Sequence, residues 1–235
     1  MFAAKKTFVR ADMMMTELFF ENPSLLLLME HFDLDFVFSD KTVLQICNEN
    51  KISKDVFISF ANLYNGFGHA GIEIFSRTDI KDMLTFLRNS HQYYKNEKYP
   101  EILNLIGLLY EKNSMPEIKM IEEYFFEYFE EVVEHLDYED RVAFPYISEL
   151  IQKSRINDDK EQFSVDVYRE HHTDIEFKLT ELKNLLLRYI PLNNDRSLRR
   201  RLLFSLFELE NDLNIHSTIE DGILIPLIKS IENDR

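Results

Sequence analysis

At 235 residues the chain is long enough to bury a full core, as one large domain or two smaller ones. Only five glycines and six prolines occur among many Leu, Glu and Lys, the composition of a helical protein rather than a sheet. A formal net charge of −15 argues against nucleic acid as a partner, because phosphate repels an acidic surface.

The N-terminus carries basic residues without a signal-type apolar core behind them, and Leu25 to Met29 is too short to span a bilayer. Cys47 is the only cysteine, so no intrachain disulfide can form and nothing asks for an oxidising compartment. A soluble, cytoplasmic protein with no membrane segment is expected.

The first 65 residues read as several short helices. Pro23 and Ser24 open an apolar run through Phe32, Asp40 is placed to cap the segment Lys41 to Glu49, and Ser53 to cap the segment through Tyr64. Asn65, Gly66, Gly68 and Gly71 then break the pattern. Residues 1–65 are therefore expected to form a small N-terminal helical domain, 66–78 a linker, and 79–235 a larger helical domain.

From Asp79 the helices lengthen. The first carries Ile80, Met83, Leu84, Leu87, His91 and Tyr94 on one face. Pro100 opens a second segment, and Pro116 opens another that places Ile121, Tyr124, Phe125, Tyr128, Val132, His135 and Glu139 on its stripe until Pro145 ends or kinks it. After a polar stretch, a helix carries Val165, Tyr168, His172, Ile175, Glu176, Leu179 and Leu186 on one side; the last has Leu202, Leu206, Leu209, Leu213, His216 and Glu220, with Pro226 near its end. The expected fold is all-α, an up-and-down four-helix bundle with an inward histidine on each long helix, preceded by the small helical domain.

Three of those histidines are followed four residues later by glutamate: His135 with Glu139, His172 with Glu176, and His216 with Glu220. An i to i+4 step stacks both side chains on one helix face, where two ligand atoms can reach one place. A carboxylate on an apolar stripe is costly unless a cation or hydrogen bond compensates it. A lone inward histidine is ordinarily a core imidazole bonded to a carbonyl. Four helices that each bring one, three with a carboxylate at the same offset, point instead to metal: imidazole and carboxylate suit iron, manganese or zinc, and seven candidates are enough for two ions. His31, in a polar turn, His69, in the glycine-rich loop, and His171, facing sideways, are read as non-ligands.

Ferritin-like di-iron bundles place glutamate three residues before histidine, and the order here differs. "HLDYEDRVAFP" from His135 to Pro145 and "HSTIEDGILIP" from His216 to Pro226, with His91 before a proline-led helix, resemble the hemerythrin-like family. The segment "MEHFDLDFVFSDKTVLQICNEN" looks like the leading motif of its repair of iron centres subfamily, which joins a small N-terminal domain to a hemerythrin-like bundle. The resemblance implies a non-haem di-iron centre with His91, His135, His172 and His216 as terminal ligands and Glu139 and Glu220 as bridging carboxylates. It implies a role in repairing iron-sulfur clusters damaged by oxidative or nitrosative stress, with damaged iron-sulfur proteins as clients. The alternative is sensing or binding of dioxygen or nitric oxide at the same site. A homodimer is a further expected partner state.

The chain departs from the family twice. Val37 and Phe38 stand where an adjacent cysteine pair is common, and no histidine occurs around Tyr110 to Asn113. Glu176, Tyr110 or water are the candidates to take that missing place. Separately, Arg196, Arg199, Arg200 and Arg201 crowd a helix start, against the helix dipole. They read as a solvated helix face, with an anion or acidic partner as the alternative.

Overall fold

The structure is a computed structural model that describes residues 7–69, 71–152, 175–188 and 195–233. It is all-α, with no strand among the described residues. Four short helices, α1 (Met15–Glu21), α2 (Leu25–His31), α3 (Val43–Asn50) and α4 (Lys54–Tyr64), precede α5 (Ile80–Tyr93). Then follow α6 (Tyr99–Asn113), α7 (Pro116–Tyr138), α8 (Phe144–Gln152), α9 (Ile175–Arg188), α10 (Arg196–Ile219) and α11 (Ile225–Asn233). The backbone forms two compact units: 1–90 with 146–161 and 215–235, and 91–145 with 162–214. Three of the cuts fall inside helices, in α5, α8 and α10.

In the first unit, local signals place the short helices. Thr42, rather than Asp40, caps α3: its hydroxyl accepts from the Gln45 N–H while the Gln45 side chain accepts from the Thr42 N–H, a reciprocal capping box. Lys51 then closes α3 in a left-handed conformation at φ 58°. Ser53 caps α4 as its sequence position predicts. The core of this unit is aromatic: Phe32 packs against Phe57, Phe60 and Phe86, with Phe60 and Phe86 edge to face at 4.9 Å. His31 belongs to this core. Its ring is fully buried and stands edge-on to Phe86 at 5.1 Å, so the polar turn expected there is instead the apolar end of α2.

In the second unit, α6 and α9 both pack on α7. Tyr99 stacks on Phe129, and Tyr124 reaches across to Glu181 of α9 at 3.0 Å. Tyr124 is thus the one member of the α7 stripe that faces a neighbour's rim, while Ile121, Phe125, Tyr128 and Val132 are buried.

Prolines 100, 145 and 226 do not end helices. A proline ring crowds the carbonyl four residues back and offers it no N–H. Directly before each proline the backbone widens by one residue into a π-turn: Tyr94–Lys98, Glu139–Ala143 and Glu220–Leu224. The N–H of Tyr99, Phe144 and Ile225 bonds the carbonyl of Tyr94, Glu139 and Glu220 respectively, five residues back. Helical backbone therefore continues from α7 into α8 through Pro145, where the sequence pattern predicts an end or a kink.

Phe60→Ala opens the aromatic cluster of the first unit, and chemical denaturation should show a loss of about 3–5 kcal/mol. A loss under about 1 kcal/mol would mean that the cluster collapses without cost.

Candidate metal centre

The stripes of α5, α7 and α10 carry their histidines inward as their periodicity demands. His91 lies two residues before the end of α5, His135 in the last turn of α7, and His216 in the last turn of α10. Glu139 and Glu220 are each the first residue of a π-turn. Both glutamates are fully buried.

Around Glu139, His91 Nε2 lies 3.3 Å from one carboxylate oxygen and His135 Nε2 lies 3.3 Å from the other. His91 Nδ1 meets Asp140 Oδ1 at 3.0 Å. A carboxylate only accepts, so Nδ1 carries a proton, and a neutral ring then presents its Nε2 lone pair towards Glu139. Burial acts to raise the Asp140 pKa, but the hydrogen bond from His91 and the nearby Lys95 outweigh it and hold the carboxyl below its ordinary value. The ring of Phe144 stacks on His91 at 5.4 Å. That contact accounts for the phenylalanine next to Pro145.

Around Glu220, His216 Nε2 lies 3.4 Å from one carboxylate oxygen. Ser90 settles the tautomer here. Its hydroxyl donates its single proton to the Leu87 carbonyl at 2.7 Å, and so it can only accept from His216 Nδ1 at 2.9 Å. At Gly222, in the same π-turn, an added Cβ would come within 2.9 Å of the His69 ring, which would have to move aside.

In their neutral form both imidazoles aim an Nε2 lone pair at carboxylate oxygens that are acceptors only. Such an arrangement is repulsive unless a cation stands between the groups, and burial removes the water that would screen it. One ligand atom from each of His91, Glu139, His216 and Glu220 can be chosen so that all lie within 4.8 Å of one another. Nitrogen and carboxylate oxygen at that separation, each imidazole braced through its second nitrogen, fit a divalent metal ion.

A family model for the hemerythrin HHE cation binding domain matches residues 100–228, more than half of the chain. The chain belongs to the hemerythrin family. No curated protein matches it. The pairs His135 with Glu139 and His216 with Glu220 thus lie within a cation-binding domain, and the buried cluster could hold a metal ion.

Of the seven residues read from the sequence, His91, Glu139, His216 and Glu220 are brought together and His135 adjoins them across Glu139. His172 lies outside the described residues, and for Glu176 only its backbone place in α9 is described. Tyr110, one candidate for the missing histidine's place, is 38% exposed. Asn113 donates to the Leu109 carbonyl and to Asp195. Sequence reasoning missed Asp140, Ser90 and Phe144. A signal for the first existed: Glu139-Asp140 and Glu220-Asp221 are the same doublet after the same histidine spacing.

Ser90→Ala and Asp140→Ala each remove the acceptor that fixes one imidazole. Metal titrations of the purified protein should show affinity lower by about 10–100-fold for each. Wild-type affinity in both variants would mean that packing alone orients the rings. Burial, with the charges of Asp82 and Asp55 against the effect of a backbone hydrogen bond, pushes the Cys47 thiol up to about 12, so the folded protein should resist alkylation at pH 8 and react only on unfolding. Rapid labelling of native protein would show an accessible thiolate.

Proposed function

We propose that this hemerythrin-family protein holds two non-haem iron ions and serves the repair of iron-sulfur clusters damaged by oxidative or nitrosative stress. The observation that carries the metal part is the pair of imidazoles, each held through Nδ1, whose Nε2 atoms face buried carboxylates. Glu139 has an imidazole on each of its two oxygens, as a carboxylate shared by two ions would. In this reading Glu139 and Glu220 bridge, His91, His135, His172 and His216 are terminal, and Glu176 replaces the absent histidine. Bound iron would supply a redox-active ion with a coordination position open to a small ligand.

The chain's own residues would do the rest. Asp140 and Ser90 hold both imidazoles in the tautomer that presents the Nε2 lone pair to a metal ion, and Phe144 and the apolar stripes exclude water from the carboxylates. The repair assignment rests on the likeness of residues 29–50 to the repair of iron centres motif. Our division into 1–65, a linker at 66–78 and a bundle over 79–235 is supported by the interval from Asn65 to Asp79, where the described backbone forms only the turn Ile72–Ile74, and by the family match, which falls inside the third part.

A second reading, reversible binding of dioxygen or nitric oxide, is favoured by the thiol chemistry. Cys47 is the only cysteine and is buried, so a thiol-dependent repair step has no reactive group in this chain. Among the described residues no helix is long and apolar enough to cross a membrane, in keeping with action in the cytoplasm.

Anaerobic iron loading followed by elemental analysis should give two irons per chain, reduced in Glu139→Ala and Glu220→Ala. Background metal in the wild type would end the di-iron reading. Loaded protein should restore an enzyme with a destroyed iron-sulfur cluster beyond the effect of equal free iron. Without that advantage, a reversible spectral change on adding dioxygen or nitric oxide to reduced protein would select the second reading.

A further inference from the structure

Two faces of the second unit carry apolar side chains that its own core does not use. On α10, Phe204 is 69% exposed and Phe207 47% exposed, and with Arg196, Arg199 and Arg200 they line a shallow cavity of about 380 Å³. On α7, Phe126 is 47% exposed and lines, with Tyr99, Phe129, Val133, Glu130 and Glu134, a groove of about 700 Å³. Exposed aromatic patches of this kind mark contact surfaces more often than chance. Their rims have opposite sign.

The arginine face is anomalous in a chain of net charge −15. Arg196 and Arg200 are exposed, whereas Arg199 is held against α9 by donating to the Leu186 carbonyl. The phenylalanines are partly organised from beneath, since Lys183 lies over the Phe207 ring at 4.6 Å and is anchored to Glu210. The acidic groove has the complementary make-up. Glu130 and Glu134 are exposed along its edge, and its floor is the stacked pair Tyr99 and Phe129. The neighbouring Asp137 is engaged by Lys95 and Arg141, which leaves Glu130 and Glu134 as the carboxylates that offer charge to an incoming group.

We propose that these faces bind each other between copies of the chain: the Arg196, Arg200, Phe204 and Phe207 face of one molecule docks in the Tyr99, Phe126, Glu130 and Glu134 groove of a second. Guanidinium groups pair with carboxylates and lie flat on aromatic rings, which a lysine face would do less well. The phenylalanines supply the apolar anchors such a groove buries. Two different patches meet, so the contact is head-to-tail and either closes into a ring or extends. Being built from exposed charges around an apolar centre, it weakens with salt.

Sedimentation velocity of the full chain should show species heavier than the 28.2 kDa monomer, growing with concentration at low salt and receding at high salt. Arg196→Glu with Arg200→Glu, or Glu130→Lys with Glu134→Lys, should each leave a monomer, because each variant opposes like charges across the contact. Mixing the two variants restores opposite signs at both possible contacts, and association should return. That rescue separates the proposal from misfolding, which mixing cannot repair; circular dichroism and metal content should match wild type throughout. Wild-type protein that stays monomeric at every concentration overturns the proposal. So does association that neither double variant alters, or variants that stay apart when mixed. Binding of anionic vesicles or an acidic peptide to the arginine face of a monomeric wild type would assign that face to another partner and likewise overturn it.

Discussion

Two imidazole lone pairs pointed at two buried carboxylates form the constraint from which the interior of this protein follows. Each group alone would be ordinary. Together, with Nε2 to oxygen distances of 3.3 to 3.4 Å, they demand a positive charge at a place water does not reach. The bracing contacts raise that demand, because Asp140 and Ser90 fix the Nδ1 protons, so that a neutral ring turns a lone pair and not a donor towards its glutamate. The apolar stripes of the surrounding helices then keep the dielectric low enough for the charge to matter.

The backbone is shaped to the same end. Both glutamates sit where an α-helix widens into a π-turn ahead of a proline, and such turns re-aim side chains while keeping the helix intact. α5 adds a further economy: its consecutive residues Ser90 and His91 serve different imidazoles, one as the acceptor that orients His216 and the other as the ring that faces Glu139. A helix exposes successive residues about 100° apart, so one short stretch addresses both groups.

Much of this was legible in the sequence. The all-α class followed from composition, and five of six residues on the α5 stripe are apolar or aromatic and buried as its period requires, with His91 buried among them. The histidine and glutamate spacing singled out Glu139, His216 and Glu220, and the α5 stripe singled out His91, the four whose ligand atoms lie within 4.8 Å of one another. What escaped had no periodic signature: a serine bonded one turn back, an aspartate adjoining a glutamate, and a histidine, His31, whose burial depends on Phe86, 55 positions away in the chain. The capping of α3 was misplaced for a local reason, since Asp40 and Thr42 are both acceptable caps and only the reciprocal bond from Gln45 decides between them. Proline misled in the same way, because its rule concerns an ideal α-helix and the widened turn provides an exit from it.

The π-turns also have a comparative consequence. From the glutamate to the proline is six residues in both strings, Glu139 to Pro145 and Glu220 to Pro226, and an aspartate follows the glutamate each time. Written as a pattern, histidine, three residues, Glu-Asp, four residues, proline encodes a histidine–glutamate pair together with the backbone irregularity that seats it. An insertion or deletion between the glutamate and the proline would break the register of that irregularity even if every ligand remained. Spacing is therefore the more demanding criterion when other chains are asked whether they could build the same centre: a sequence that keeps the histidines and glutamates but shifts the proline would carry the donors without the turn that aims them.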